Sequence, residues 1–257
     1  MRLSELRERL LDRDEPLTED LKRMLQADPR VGARRLLQTK ERRQRQRAAR
    51  EARQSALRDF DRVQARGQVL AGVDEAGMSP WAGPIVAAAV ILPPDAGLSG
   101  VDDSKTLQEK QREALAEEVK DVALAWSVAG SSPEDIGRLN VHHAGLLAMR
   151  RAVAGLRPRA QRLIVDARRV PGFAGPQSAV VKADAKSLSV AAASILAKTT
   201  RDRLMRRLDE MHPSYGFRQH KGYGVEAHRR ALLHEGPCPH HRLCFDALRD
   251  LLSDSGA

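Results

Sequence analysis

Two adjacent carboxylates, Asp74 and Glu75, follow an apolar run that begins at Val69, and a loop rich in glycine and proline comes next. A second apolar run, Ile85–Leu92, is rich in β-branched residues, so both runs are predicted to be buried strands. Burying two neighbouring like charges is costly, because each carboxylate loses its water and repels the other. A divalent cation is the simplest partner that would offset this cost. The alternative is a pair of exposed acids in a turn.

Two further carboxylates follow apolar runs later in the chain. The run Arg162–Asp166 ends in Asp166, and the run that begins at Val180 leads to Asp184. One acid at the exit of a strand is ordinary, but three such strand ends converging on one sheet edge would make a site of oxygen ligands for metal ions. The pattern therefore predicts a metal site if the strands converge.

Polar groups at predicted helix ends could hold phosphates beside that site. Ser104 is predicted to cap a helix from about Lys105 to Lys120, and a helix N-terminus carrying Ser104 and Lys105 suits a phosphate. A plain cap is the alternative. A long helix is predicted over 187–211, with small apolar residues in its first half. The other predicted elements are a strand over 122–129 and helices starting at Pro133 and Asn140, with two more over 225–234 and 245–252.

The N-terminal region, residues 1–67, is predicted to be helical and separate from the rest. A short helix capped by Thr18 precedes a long helix over about 32–64. Residues 28–66 carry 13 basic and 5 acidic side chains, which favours a polyanion such as nucleic acid. Because aromatic residues are sparse there, contacts would be to phosphates and insensitive to base sequence. A solvated helix face is the alternative.

Composition narrows the class of protein. The 257 residues allow one sizeable core with an appendage, or two small domains. No stretch reaches the about 18 apolar residues that span a membrane, and the N-terminus lacks an apolar signal-peptide core. Two cysteines, Cys238 and Cys244, fit a reducing cytoplasm. They lie near His240 and His241, but the irregular spacing and the lack of a second ligand pair disfavour structural zinc.

Several segments, in order across about residues 69–250, match the motifs of one family. They are Gly72-Val-Asp-Glu-Ala-Gly, Trp81-Ala-Gly-Pro-Ile-Val-Ala-Ala-Ala-Val, Asp103-Ser-Lys, Leu163-Ile-Val-Asp, Val181-Lys-Ala-Asp, Ala193-Ser-Ile-Leu-Ala-Lys-Thr-Thr-Arg-Asp and Tyr215-Gly-Phe-Arg-Gln-His-Lys-Gly-Tyr. With these segments the chain resembles bacterial ribonuclease HII. The basic N-terminal region also resembles an extension that assists substrate binding in some members.

The resemblance implies an α/β, ribonuclease H-like fold: a mixed five-stranded sheet flanked by helices, over residues 68–257, with a helical C-terminal region. A small all-helical extension, residues 1–67, would precede it. The implied catalytic and metal-binding carboxylates are Asp74, Glu75, Asp166 and Asp184. They would hold two Mg²⁺ or Mn²⁺ ions, one activating the attacking water and the other stabilising the leaving 3′ oxygen.

The resemblance also implies an activity and its substrates. The enzyme would hydrolyse the RNA-containing strand of RNA–DNA hybrids and nick 5′ of ribonucleotides embedded in duplex DNA, leaving 3′-hydroxyl and 5′-phosphate ends. It would serve ribonucleotide removal and primer clearance in the cytoplasm, and we expect a monomer. Phosphates would be held by Ser104, Lys105, Ser194 and Lys198. Tyr223 would pack on the sugar at the RNA–DNA junction, where the 2′-hydroxyl distinguishes RNA from DNA; an ordinary surface anchor is the alternative for Tyr223.

One segment departs from the family pattern. The family has Gly-Arg-Gly after the paired acids, and its main chain helps to read the junction ribonucleotide; here the positions are Gly77, Met78 and Ser79. A cation is lost, and Ser79 has a Cβ that disfavours positive φ, so relaxed junction specificity is expected. An enzyme like ribonuclease HIII, which prefers runs of RNA, is one alternative. Ribonuclease HIII lacks a tyrosine at the position of Tyr223, which argues against this alternative. A non-catalytic hybrid-binding protein is the other, and the four carboxylates argue against it.

Overall fold

A computed structural model of the chain describes residues 2–98, 100–101 and 107–254. The chain forms two compact units, Met1–Arg53 and Gln54–Ala257. The division falls inside the long helix Val31–Ala65 (α3), whereas the sequence predicted a domain boundary after Gly67. In the described part of the chain, no helix is both long enough and apolar enough to span a membrane.

The first unit is helical, as predicted. It contains Leu3–Arg7 (α1), a π-helical turn Glu8–Asp12, Glu19–Ala27 (α2) and the first part of α3. The Thr18 hydroxyl accepts a hydrogen bond from the Leu21 N–H at 3.4 Å, which confirms the predicted cap of α2. Aliphatic side chains form its core: Leu6, Leu10, Leu25, Ala33, Leu36 and Leu37. The buried Lys40 ammonium is paired with Asp14 at 2.5 Å.

The second unit is built on one mixed five-stranded sheet, as predicted. Its strands are Leu70–Ala76 (β1), Ile85–Ile91 (β2), Ala125–Ser131 (β3), Arg162–Asp166 (β4) and Gln177–Val180 (β5). The order across the sheet is β3-β2-β1-β4-β5, with β1, β4 and β5 parallel and β2 antiparallel to both of its neighbours. Since β5 ends at Val180, Asp184 lies in the 3₁₀ turn Ala183–Ala185 and not directly at a strand end.

Helices flank the sheet and form the C-terminal region. They are Glu109–Val122 (α4), Pro133–Gly155 (α5), Leu188–Met211 (α6), Phe217–His220 (α7), Glu226–Glu235 (α8) and Asp246–Asp254 (α9). Asn140 has a φ of 66° and breaks α5 into the two predicted segments. Gln108 occupies the N-cap of α4, so the predicted start at Lys105 is wrong. Ser104 and Lys105 lie outside the described residues.

Helix α6 packs closely on β1 because one position carries no side chain. A Cβ on Gly72 would lie 2.2 Å from the Ser189 carbonyl carbon, so only glycine allows this approach. The Ser187 hydroxyl accepts a hydrogen bond from the Val190 N–H at 3.2 Å and caps the helix, which begins close to the predicted residue 187. The close contact places the first turns of α6 directly against the strand that carries the paired acids.

The last turns of α3 belong to the core of the second unit. Leu57 is 1% exposed and packs in the apolar cluster that contains much of α6. The Asp61 carboxylate accepts a hydrogen bond from the Ser189 N–H at 2.8 Å, at the N-terminus of α6. Gln64 accepts one from the Ser178 hydroxyl at 2.8 Å. Residues 54–65 therefore support the sheet and α6, whatever the role of the residues before them.

This packing predicts different results for two N-terminal deletions. Removing residues 1–53 should leave a cooperatively folding protein, whereas removing residues 1–66 should lower the free energy of unfolding by at least about 3 kcal/mol, because the absence of the Leu57 side chain alone resembles a large-to-small core substitution. Urea denaturation of both truncated chains provides the measurement. Equal stability of the two would contradict a structural role for residues 54–65.

Candidate active site

The register of the sheet brings two of the predicted acids together. Val73 of β1 pairs with Val165 of the parallel strand β4, so the next residues, Asp74 and Asp166, lie side by side where the pairing of β1 with β4 ends. Asp166 accepts a hydrogen bond from the Ala183 N–H at 2.8 Å. That bond holds the 3₁₀ turn that carries Asp184 next to the end of β4.

The carboxylate of Asp74 is 7% exposed and has acids around it. Burial, reinforced by the negative charge of Glu75, raises the pKa of Asp74 to about 8, although the Ser194 hydroxyl and the Glu75 N–H donate to it. Burial also raises the pKa of Glu75, and Asp166 adds to this while Arg168 opposes it. These charges repel one another, so in the absence of a cation Asp74 is held protonated at neutral pH.

The donor set fits hard divalent cations. Glu75 Oε2 is buried and has no hydrogen-bond partner, which is an unusual state for a carboxylate oxygen. Oxygen ligands of this kind and a local excess of negative charge suit Mg²⁺ or Mn²⁺. Within the described residues, no three His, Cys, Asp or Glu side chains form a preassembled metal cluster, and this includes the histidines near the free thiols Cys238 and Cys244. The participation of Asp184 stays a prediction.

A cavity of about 400 Å³ opens beside the acids. Its lining includes the predicted metal ligand Glu75 and most of the predicted substrate-binding residues: Gly77, Met78, Ser79, Ser194, Lys198 and Tyr223. The Tyr223 side chain is exposed at this cavity. A larger cavity, of about 670 Å³, lies at the opposite ends of β4 and β5 and contains none of the paired acids. The cavity of about 400 Å³ is therefore the candidate active site, because it is the one that lies beside the paired acids.

The predicted phosphate ligand Lys198 is held by a buried acid. Its Nζ donates to Asp202 Oδ1 at 2.6 Å, and Arg112 of α4 donates to Asp202 Oδ2 at 3.2 Å. Both cations line the cavity. Sequence reasoning missed Arg112, because no motif or spacing connects a residue of α4 to the acids; only the packing of α4 on α6 does so.

A second missed cation, Arg168, contacts the segment that departs from the family pattern. Its Nη1 lies 3.5 Å from Glu75 Oε1 and donates to Met78 Sδ at 3.7 Å. Arg168 follows Asp166 by two residues, and this spacing was the signal available in the sequence. A guanidinium thus lies beside Met78, the position at which the family carries arginine.

The backbone of the departing segment is not strained. Gly77 has a φ of +96°, and a Cβ there would lie 2.1 Å from Arg201 Nε, so glycine is required and is present. Neither Met78 nor Ser79 has a positive φ. The expectation that serine at position 79 opposes a left-handed backbone is therefore wrong, because the only left-handed residue of the three is the retained glycine.

Comparisons with known proteins agree with this geometry. The family model for ribonuclease HII matches residues 71–248. The chain belongs to the ribonuclease HII family. It is 48% identical to a ribonuclease HII from Anaeromyxobacter over 98% of this chain and 81% of the relative, and 47% identical to one from Myxococcus xanthus over 97% of this chain and 86% of the relative. The protein is therefore an enzyme, an endonuclease of the ribonuclease H class.

The fold agrees with that of a solved member. The structure of ribonuclease H2 from Pyrococcus horikoshii superimposes with a TM-score of 0.64 at 27% sequence identity, covering 73% of this chain and 98% of that one. This likeness confirms the predicted ribonuclease H-like sheet.

The electrostatics of Asp74 predict that the metal-free protein gains stability when this acid is neutralised. The folded-state pKa of Asp74 lies above its unfolded value of 3.8, so the wild-type free energy of unfolding falls as pH rises from about 4 to about 8. Asp74→Asn should raise it by about 2–4 kcal/mol at pH 7 and flatten this pH dependence. Urea denaturation in EDTA at several pH values measures both effects.

A matched control for this substitution is Asp121→Asn, which changes an exposed carboxylate at the end of α4. It should leave the free energy of unfolding within about 0.5 kcal/mol of wild type. Destabilisation by Asp74→Asn would contradict the assignment of Asp74 as a carboxylate buried at a cost to stability.

Proposed function

We propose that this protein is a metal-dependent endoribonuclease of RNA–DNA duplexes. It hydrolyses the RNA-containing strand of hybrids and nicks 5′ of ribonucleotides embedded in duplex DNA, leaving 3′-hydroxyl and 5′-phosphate ends. The observation that carries the proposal is a group of mutually repelling acids, the buried Asp74 with the partly exposed Glu75 and Asp166, beside a cavity lined by cations and Tyr223. In the cell it would act in ribonucleotide removal from DNA and in primer clearance, in the cytoplasm.

The metal ligands we propose are Asp74, Glu75, Asp166 and Asp184. Two bound Mg²⁺ or Mn²⁺ ions would supply activation of the attacking water and charge stabilisation of the leaving 3′ oxygen. The Ser194 hydroxyl, which donates to Asp74, orients that carboxylate from α6. The Arg168 guanidinium holds Glu75 at 3.5 Å and moderates the repulsion between the acids.

Substrate binding follows from the cavity lining. Lys198 and Arg112 place positive charge where a phosphate backbone would run, and their shared contact with Asp202 fixes both side chains. We assign Ser104 and Lys105 to a further phosphate contact. The exposed ring of Tyr223 would pack on the sugar at the junction, where a 2′-hydroxyl identifies the ribonucleotide.

The conformation of the Gly77–Ser79 segment supports the proposal that the enzyme still recognises a single embedded ribonucleotide. Its left-handed position is still glycine, and Arg168 supplies a cation beside Met78. We therefore propose that the missing arginine does not convert the enzyme to one that requires runs of RNA. Tyr223 at the cavity also favours the ribonuclease HII substrate range over that of ribonuclease HIII.

The N-terminal unit would bind the duplex backbone. Its part of α3 exposes a series of arginines: Arg34, Arg35, Arg42, Arg43, Arg45, Arg47, Arg50 and Arg53. Such a series suits a phosphate backbone, since it offers charge without aromatic side chains to stack on bases. We propose that this unit raises affinity without adding sequence preference.

Two labelled duplexes test the catalytic proposal. One is DNA with a single embedded ribonucleotide, and the other is an RNA strand paired with DNA; each is incubated with protein in Mg²⁺ and in Mn²⁺ and the cuts are mapped. We expect one nick 5′ of the lone ribonucleotide and multiple cuts in the RNA strand. Asp74→Asn should lower both rates by at least about 10³-fold with hybrid binding retained, since it removes a charged metal ligand.

The outcomes of this assay separate the alternatives. Cleavage of the RNA strand alone would support an enzyme like ribonuclease HIII. Binding without any metal-dependent cleavage would support a non-catalytic hybrid-binding protein. Equal rates for Asp74→Asn and wild type would reject the proposed metal site.

A salt titration tests the role of the N-terminal unit. Each phosphate that a basic side chain neutralises contributes about 0.9 to the slope of log affinity against log salt for a DNA duplex, so deleting residues 1–53 should weaken binding and reduce the slope by about 2 or more. The full-length variant with Arg42, Arg45 and Arg50 changed to Gln is the matched control, since it removes charge while keeping the helices of the unit. An unchanged slope in both proteins would exclude the unit from binding the duplex.

A further inference from the structure

A buried arginine holds the main chain of the segment at the cavity. Arg242 is 1% exposed, and its guanidinium makes three hydrogen bonds, all to backbone carbonyls. Nη2 donates to Gly77 O at 2.7 Å, Nη1 to Met78 O at 3.0 Å and Nε to Gly83 O at 2.9 Å. This planar group fixes three peptide orientations in one loop.

The orientation of these carbonyls determines where the neighbouring amides point. In a trans peptide the C=O and the following N–H point in opposite directions, so the N–H groups of Met78 and Ser79 point away from Arg242. Neither N–H has a hydrogen-bond partner in the part of the chain that the structure describes. Both residues line the cavity beside the acids. Arg242 therefore presents two unused donors on the side where a substrate would bind.

Arg242 carries its charge without an acidic partner. Among the described side chains it forms no ion pair, and the same holds for the neighbouring buried Arg201, which donates to the carbonyls of Ala82, Pro84 and Lys221. Burial, together with the charge of Arg201, lowers the pKa of Arg242 to about 9. Two unpaired buried guanidiniums are costly to a fold, so their arrangement calls for a reason beyond stability.

His241, the residue before Arg242, is connected to the segment that carries Tyr223. His228 Nδ1 lies 3.0 Å from the Tyr223 carbonyl and must donate to it, because the carbonyl can only accept. His228 Nε2 is then an acceptor, so His241 Nε2 donates to it across 3.0 Å. His241 Nδ1 accepts from the Cys238 N–H at 3.0 Å. The neutral imidazole of His228 thus connects the neutral imidazole of His241 to the main chain of Tyr223.

Main-chain hydrogen bonds tie these segments together. The Arg242 N–H donates to Trp81 O at 2.8 Å, and the Trp81 N–H donates to Gly222 O at 2.8 Å, next to Tyr223. Ala82 and His241 form an isolated β-bridge. The side chains of one dipeptide therefore extend in two directions, to Gly77–Ser79 through Arg242 and to Tyr223 through His241.

We propose that His241 and Arg242 are positioning residues that set the orientation of the Gly77–Ser79 main chain relative to Tyr223, and that this frame determines discrimination between a lone ribonucleotide and a continuous RNA strand. This inference rests on the proposed function. Neither residue belongs to the acid set, so the frame acts on which sugar is read and not on metal binding.

Steady-state kinetics on both duplexes test the proposal. Arg242→Lys keeps the charge but not the three-way fork, and Arg242→Met removes both. We expect kcat/KM for the lone ribonucleotide to fall at least tenfold in each, with less than a threefold change for the RNA–DNA hybrid and with Mn²⁺ affinity, measured by calorimetry, unchanged. Arg249→Met removes an exposed arginine of α9 and should change none of these values.

A second pair of variants tests the His241 arm and covers the case in which Arg242→Met fails to fold. His241→Gln retains a side-chain donor that can reach His228, whereas His241→Leu does not. We expect His241→Leu to lower the ratio of lone-ribonucleotide to hybrid cleavage at least fivefold, and His241→Gln to restore most of it. Thermal unfolding of each variant identifies a general loss of structure.

The outcomes distinguish this inference from the function on which it rests. A proportional loss on both substrates, or an unchanged ratio in folded Arg242→Lys and His241→Leu, overturns the positioning role alone. Wild-type protein that leaves the embedded ribonucleotide uncut overturns the proposed substrate range and the positioning role with it. A selective loss that His241→Gln rescues supports the frame.

Discussion

The structure depends on the burial of Asp74 between β1 and α6. Glycine at position 72 lets α6 approach the strand, and this approach removes water from a carboxylate that already has Glu75 and Asp166 as neighbours. Neighbouring carboxylates that are buried in this way lower the stability of the fold unless a cation binds to them. Because the cost falls on the residues at the cavity, the same contact that organises the second unit also supports the cation site proposed for Asp74 and Glu75.

Positive charge is distributed around these acids by several elements of the fold. Arg168 follows β4, Lys198 belongs to α6 and Arg112 comes from α4. Each is held by a specific acceptor, so the polyanion binding proposed above would need little reorganisation of these charges. This arrangement explains how a chain with methionine at position 78 retains a cationic surface at the same place.

The long helix α3 contributes to both compact units. Its first turns contribute to an arginine-rich unit, and its last turns contribute Leu57 and Asp61 to the core and to the N-terminus of α6. The sequence predicted a boundary at Gly67, because the helical pattern ends at that glycine. The burial of Leu57 shows that the structural boundary lies earlier, since a side chain in the core cannot belong to a separable appendage.

The sequence by itself determined the family, the sheet and the acids Asp74, Glu75 and Asp166, because strand periodicity and short motifs are local signals. It also identified Tyr223 and the altered segment at Met78. Only the tertiary structure decided the conformation of Ser79, the start of α4 and the presence of Arg168, Arg112 and Arg242 around the site. Apart from Arg168, which follows Asp166 by two residues, these features depend on contacts between residues far apart in the chain. Such contacts leave no periodic pattern that a single sequence can reveal.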